Sequence, residues 1–250
     1  MTAAIAWGFL AGAATGIDRH RLARLPHLEA PVTRPVLLDL FCGAGGAGMG
    51  YHRAGFDVVG VDLKRQPNYP FAFERGDALE YLHRMNKLGA RYDAIHASPP
   101  CQAYSITGNL ARSQGKEAST VDLVGPARDL IASLGVPYVI ENVPGAPLVN
   151  PVTLCGSSFG LKVRRHRLFE SNVLIPALPC DHATQGRPVG VYGSKADDIP
   201  QGGRTARTLE EGQEAMGIDW MPWSSLVLSI PPAYTEHVGA ALLQHLAVAA

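Results

Sequence analysis

One stretch limits the folds open to this chain more than any other. Pro35-Val36-Leu37-Leu38-Asp39-Leu40-Phe41 is an apolar run of strand length, and Cys42-Gly43-Ala44-Gly45-Gly46-Ala47-Gly48-Met49-Gly50 follows at once. A run without polar alternation fits a central parallel strand covered on both faces. The glycines at 43, 45 and 48 form G-x-G-x-x-G, which permits a tight turn and close approach of a ligand to the backbone. A helix over 47–54 then points its positive end at that ligand. Gly55 ends the helix, and Phe56–Asp62 reads as a second strand tipped by an acid. Asp62 lies about 20 residues past the first glycine, where a carboxylate takes the ribose hydroxyls of an adenosine cofactor. Strand, glycine loop, helix, strand and acid in this order predict an open α/β sheet.

A chain of 250 residues with 46% hydrophobic content and zero formal charge suits one α/β domain with a small appendage. The four cysteines, Cys42, Cys101, Cys155 and Cys180, include no C-x-x-C pair. That argues against a zinc ribbon or a disulfide framework and for a reducing, cytoplasmic setting. Cys180-Asp181-His182 offers metal-ligating residue types, but no matching pair lies nearby in sequence, and no metal is assigned. No apolar run reaches the ~18 residues of a membrane span, so no membrane partner is expected. Residues 3–12 have the apolar character of an export signal but no Lys or Arg before them, so 1–34 read as an N-terminal extension. From Lys162 to Arg207 eight Lys or Arg face four acids, a local positive surplus compatible with a nucleic-acid partner.

A second feature carries the chemistry. Tyr92-Asp93-Ala94-Ile95-His96 reads as a short buried strand, followed by Ala97-Ser98-Pro99-Pro100-Cys101-Gln102-Ala103-Tyr104-Ser105. Proline fixes its own φ and donates no backbone hydrogen bond, so the pair ends the strand and stiffens the exit. Cys101 is thereby mounted on a rigid turn at the C-terminal edge of a sheet, where ligands and chemistry sit in open α/β folds. A nucleophile needs such a mounting; a buried structural cysteine does not.

The other elements follow in order. Phe71–Asp77 is a third short strand, with Asp77 a second carboxylate near the cofactor, and 78–88 has helical spacing. Residues 107–120 form a polar stretch without apolar period, expected to be a lid over substrate. A helix over 122–134 precedes a buried strand, Val136–Val143, whose tip carries Glu141. A carboxylate there is costly without a partner or a task. Short β-like runs at 152–154 and 167–169 lead into a Pro- and Gly-rich insert over 171–206. Helices over 208–216 and 233–247 close the chain. The expected division is 35–167 catalytic and cofactor-binding, 168–206 target recognition, and 207–250 packing back on the catalytic part.

Taken together, Asp39-Leu40-Phe41-Cys42-Gly43-Ala44-Gly45-Gly46, Pro99-Pro100-Cys101-Gln102, Glu141-Asn142-Val143, Arg165-His166-Arg167, Arg207 through Met221 and Ser229-Ile230-Pro231-Pro232 resemble, in order, the motifs of the DNA (cytosine-5)-methyltransferases. The resemblance spans about residues 36–247. Two positions depart from the family: Val163 stands in place of a glutamine, and Val227-Leu228 in place of Gly-Asn.

The resemblance implies a Rossmann-like S-adenosylmethionine-dependent methyltransferase fold with a small irregular target-recognition insert. It implies S-adenosylmethionine held by Asp39, Phe41, Gly43, Ala44, Gly45, Gly46, Asp62, Leu63, Asp77, Ala78 and Pro99. It implies a monomer that flips a cytosine out of double-stranded DNA, in a bacterial cell or a phage-infected host, as in restriction–modification. Catalysis is implied at Cys101, Glu141, Arg165 and Arg167, with the base contacted by Ser98, Gln102, Ser105, Asn142 and Val143. Cys101 would add to C6 as a thiolate, its ionisation helped by Arg167 and the turn backbone. Glu141 would hold N3 and the exocyclic amine, while Arg165 and Arg167 would contact O2 and phosphates. An RNA (tRNA) cytosine-5 methyltransferase and a non-catalytic DNA-binding relative stand as alternatives. A dinucleotide oxidoreductase would share the glycine loop but leaves Pro-Pro-Cys-Gln unexplained.

Overall fold

The computed structural model describes residues 34–101, 104, 122–193, 196–200 and 202–249. The expected N-terminal extension, Gln102, Ser105 and the polar 107–120 stretch lie outside the described residues. Arg34–Ala250 form one unit, so the three expected divisions after residue 34 share a single body.

Seven strands make the central sheet: β1 (Val36–Leu40), β2 (Asp57–Asp62), β3 (Ala72–Arg75), β4 (Ala94–Ala97), β5 (Tyr138–Asn142), β6 (Val152–Leu154) and β7 (Arg167–Ser171). Their order is β3-β2-β1-β4-β5-β7-β6. The first five run parallel, while β7 lies antiparallel to β5 and to β6. The sheet thus extends to Ser171, and only the chain beyond it forms the irregular insert.

The apolar run of β1 is explained by its two coverings. Leu37 packs with Tyr51, Val238 and Leu242 on one face, among α1 (Gly46–Ala54) and a C-terminal helix. Leu38 and Leu40 pack on the other against Leu82 and Ile131, from α2 (Ala78–Lys87) and α3 (Val124–Ala132). Burial on both faces removes the need for alternation. Asp77 caps α2 through its Oδ1, which accepts the N–H groups of Leu79 and Glu80.

The insert holds α4 (His182–Gln185) and a two-stranded ribbon of β8 (Val189–Gly190) and β9 (Arg204–Thr205). α5 (Leu209–Met216), α6 (Trp223–Leu226) and α7 (Pro232–Ala249) follow. α7 starts with proline at its first position, where a missing N–H costs nothing. It returns across α1 at close range. A Cβ on Gly50 would lie 2.1 Å from the Pro232 carbonyl oxygen and the Thr235 Oγ1. The Thr235 hydroxyl donates to the Ala47 carbonyl at 2.8 Å. The C-terminal helix thereby clamps the helix that follows the glycine loop.

Candidate active site

β4 and β5 are neighbours, with Ala97 opposite Ile140, so the residues just past this pair meet at the C-terminal edge. Ser98, Pro99 and Cys101 leave β4 there, and Glu141 and Asn142 sit at the tip of β5. Asn142 Nδ2 donates to the Pro99 carbonyl at 3.0 Å, and Asn142 Oδ1 accepts the Val143 N–H at 2.9 Å. One side chain thus ties the Pro-Pro-Cys turn to the neighbouring strand. The Tyr104 N–H closes the turn on the Cys101 carbonyl at 3.0 Å.

Glu141 is buried and pairs with Arg167, Nε to Oε1 at 3.1 Å. Arg167 arrives on β7, which is antiparallel to β5 and sets Phe169 opposite Glu141. Burial pushes the Glu141 carboxyl above its ordinary range; Arg167, a hydrogen bond from Ser98 and Arg165 pull the other way. Burial likewise raises the Cys101 thiol, and Glu141 adds to that, against the opposing pull of Arg167 and Arg165. The expectation that positive neighbours ionise Cys101 is therefore corrected. Desolvation outweighs Arg167, and the thiol rests protonated.

Arg165 is also corrected as a substrate contact. Its guanidinium is buried, with Nη2 donating to the Val191 carbonyl at 2.5 Å. The carbonyls of Val227 and Ser229 take further donations from Nη1. Backbone acceptors from two separate segments occupy the fork. Arg165 therefore acts as a strut beneath the site and reaches Cys101 and Glu141 only through its charge. The departure at Val163 has a packing reason: its side chain is buried with Val191, Met216, Ile218 and Met221.

A chain of hydrogen bonds behind Glu141 has no sequence signature beyond a lone histidine in a strand. His96 is fully buried, and its Nδ1 lies 2.9 Å from the Tyr51 hydroxyl and its Nε2 2.8 Å from the Ser98 hydroxyl. Burial pushes its pKa down to about 3, so the ring is neutral. Ser98 spends its proton on Glu141. His96 Nε2 must therefore carry the ring proton, and Nδ1 accepts from Tyr51. Arg128 and Glu170 were equally invisible. They pair in bidentate fashion at 2.6 and 2.7 Å, and Glu170 also accepts the Val149 N–H. That clamp fixes β7, and with it Arg167, against α3.

At the neighbouring edge the glycine loop divides its labour. Gly43 has φ +50 and open space where a Cβ would stand. Gly45, at φ +88, faces Tyr69 and Pro70; Gly46 lies against the Ile230 carbonyl; Gly48 lies against Asp39 and Tyr69. Of these, Gly43 alone has a backbone open to a ligand, and the others permit packing. Asp62 Oδ2 accepts the Gly43 N–H at 3.0 Å, and its Oδ1 accepts the Lys64 N–H at 2.8 Å. A carboxylate is thereby held at the mouth of the open glycine, with Leu63 exposed beside it. Phe41, at φ +58, turns the chain out of β1. Asp39 lies fully buried under the loop, accepting from Tyr69 at 3.2 Å, while its Oδ1 has no partner. Burial raises its pKa to about 7. Ala44 is roofed by Trp220, whose Nε1 donates to the Ala44 carbonyl at 3.0 Å. Ala78 is buried among the side chains under α2.

Residues 36–147 match the model of the C-5 cytosine-specific DNA methylases. That stretch contains the open glycine loop, Cys101 and Glu141. Over that stretch the chain is similar to that family. It is 28% identical over 156 residues to the type II methyltransferase M.XorII of Xanthomonas oryzae, covering 57% of this chain and 32% of the relative. It is 27% identical over 121 residues to M.AgeI of Thalassovita gelatinovora, covering 43% and 28%. It is 29% identical over 119 residues to M.HgiGI of Herpetosiphon aurantiacus, covering 44% and 92%. The matches to the first two thus span about a third of those relatives. Among solved structures, a DNA modification methyltransferase encoded within an E. coli prophage superposes with a TM-score of 0.57 at 15% identity, covering 85% of this chain and 99% of that one. The Entamoeba histolytica methyltransferase EhMeth gives 0.55 at 13%, covering 86% and 99%. At such identities these likenesses show the fold alone: a Rossmann-like α/β sheet shared with those two methyltransferases.

Proposed function

We propose that the protein transfers the methyl group of S-adenosylmethionine to C5 of a cytosine flipped out of double-stranded DNA. The observation that carries this is the meeting of Cys101 with the Arg167–Glu141 pair at one edge of the sheet. A nucleophile and a buried carboxyl whose pKa burial raises, at one rim, suit addition to a ring whose nitrogen must be protonated as the sulfur attacks.

The glycine turn fits the donor. Gly43 leaves backbone open, and the Asp62 carboxylate stands where ribose hydroxyls would bind. When bound there, S-adenosylmethionine supplies an electrophilic methyl group. The chain's own residues do the rest. Cys101 gives its proton to solvent only as the target cytosine enters, since the resting thiol is disfavoured as an anion. Its sulfur then bonds to C6, which makes C5 nucleophilic. Glu141, raised toward neutrality by burial, places a proton or hydrogen bond on N3. Ser98, His96 and Tyr51 hold the carboxyl in orientation. After transfer a base removes the C5 proton and the Cys101–C6 bond breaks. The target atoms cannot be reached inside a duplex, so the base is extruded first at a cost of a few kcal/mol.

Tritium transfer from labelled donor to duplex DNA, to tRNA and to no acceptor tests this reading. Incorporation into duplex DNA at cytosine C5, abolished by Cys101→Ser with donor binding retained, is expected. Transfer to tRNA alone would move the substrate to RNA, and transfer surviving in Cys101→Ser would remove the cysteine mechanism.

A further inference from the structure

The expectation of no metal rested on spacing along the chain, and the fold overturns its premise. Cys155, His166, Cys180 and His182 come from three segments, yet one ligand atom from each lies within 4.8 Å of the other three. Cys155 follows β6, His166 precedes β7, and Cys180 and His182 flank the residue that caps α4. We infer that these four side chains hold a zinc ion.

The distances suit that ion. Bond lengths of about 2.3 Å to sulfur and 2.0–2.1 Å to imidazole nitrogen, in a tetrahedron, separate S from N by about 3.6 Å. Cys155 Sγ lies 3.3 Å from His182 Nε2, and Cys180 Sγ lies 3.4 Å from His166 Nε2. The imidazoles meet edge to face with centroids 5.3 Å apart. Two independent thiol–imidazole hydrogen bonds would account for each short pair but not for the convergence of both pairs on one point. Two thiolates and two neutral imidazoles neutralise a divalent cation, and binding releases the two thiol protons to solvent. Four protein ligands make a closed, structural site rather than a catalytic one. Outer contacts support the cysteine arm: the Ser157 hydroxyl donates to Cys155 Sγ at 3.2 Å and accepts the Asp181 N–H at 3.0 Å.

The site supplies what the insert otherwise lacks. α4 buries none of its residues, and β8 and β9 are two residues each. An ion joining residues 155, 166, 180 and 182 anchors the start of the insert to the sheet. It also reaches the proposed active site. His166 sits between Arg165 and Arg167, and its carbonyl accepts from Arg167 Nη1 at 2.8 Å. Fixing the His166 ring fixes the backbone that aims Arg167 at Glu141. The ion is thus a positioning device for the insert and for Arg167.

The test uses the full chain, expressed without a metal-binding tag and purified under reducing conditions. Elemental analysis is expected to give one zinc per chain. Replacement by cobalt should give tetrahedral ligand-field bands with a thiolate charge-transfer band. Cys180→Ser and His182→Ala, both near the surface, should lose the metal on dialysis and lose the charge-transfer intensity or shift the ligand-field bands. Cys101→Ser should keep one zinc. Chelation should lower the melting temperature and expose two further thiols to a thiol reagent. Metal-free protein of unchanged melting temperature, no tetrahedral cobalt spectrum in the folded wild type, or a Cys155–Cys180 disulfide seen as a mass lowered by two hydrogens would each overturn the inference.

Discussion

Replacing Arg167 by alanine isolates the electrostatics of the site. Its Nε stands 3.1 Å from Glu141 Oε1, with side-chain exposures of 18% and 7%. At an effective dielectric of about 20, the attraction across that distance is about 5 kcal/mol. Removing one partner of a buried pair costs about 3–5 kcal/mol, because the other charge is left in low dielectric. Glu141 has a way out, which makes the cost depend on pH. Its folded pKa already lies above the ordinary 4.5 because of burial, and Arg167 holds it down. Without Arg167 it rises further. A carboxyl with a raised folded pKa costs nothing below the unfolded value; its penalty grows as pH climbs to the folded value and is then constant. The variant and the wild type should therefore differ little in this term near pH 4.5. The gap should widen with rising pH and level off above the variant's higher folded pKa. Urea unfolding of both proteins between pH 5 and 8 measures it. Glu141→Gln in the Arg167→Ala background should remove the pH dependence and recover part of the loss. A gap independent of pH, or one untouched by Glu141→Gln, would refute the account of Glu141 as an anion held by Arg167.

Three more perturbations follow from the same geometry. Asp39→Asn should gain about 2–3 kcal/mol relative to wild type between pH 5 and 8 in urea unfolding, since the wild-type carboxyl, with a pKa of about 7, is increasingly penalised up to that pH; a flat difference would contradict its burial as the cause. Gly50→Ala should cost about 2–3 kcal/mol or more, because its Cβ would meet the Pro232 carbonyl oxygen and the Thr235 Oγ1 at 2.1 Å; a variant within about 0.5 kcal/mol of wild type would show that α1 and α7 part easily. Asn142→Ala should slow methyl transfer by about 100-fold with donor binding unchanged, since it frees the Pro99 carbonyl that fixes the Cys101 turn; full activity would mean that the prolines hold the turn alone.

What could be read in the chain, and what could not, divides along the range of the interactions. The loop between β1 and α1 is written in contiguous residues, because glycine conformation and strand burial are local constraints. Cys101 and Glu141 are legible for the same reason: each follows its own strand, and parallel neighbours bring such tips together without further information. Arg165 shows the limit. Its recipients are the carbonyls of Val191, Val227 and Ser229. A backbone carbonyl looks the same at every position, so nothing in those residues marks them as partners. His96 is hidden differently: a histidine in an apolar strand acquires meaning only when Tyr51 and Ser98 stand on either side of its ring. The cysteine and histidine cluster is hidden by its order, Cys-His-Cys-His across 28 residues, in which Cys180 and His182 are close in sequence but no second close pair matches them. Its members are brought together by the antiparallel pairing of β6 with β7 and by the return of the insert past β7. The pairing of the same strand β7 with β5 delivers Arg167 to Glu141. The placement of β7 between β5 and β6 therefore underlies both the ion pair and the convergence of the four ligands, so a change that displaces β7 from both neighbours should damage both together.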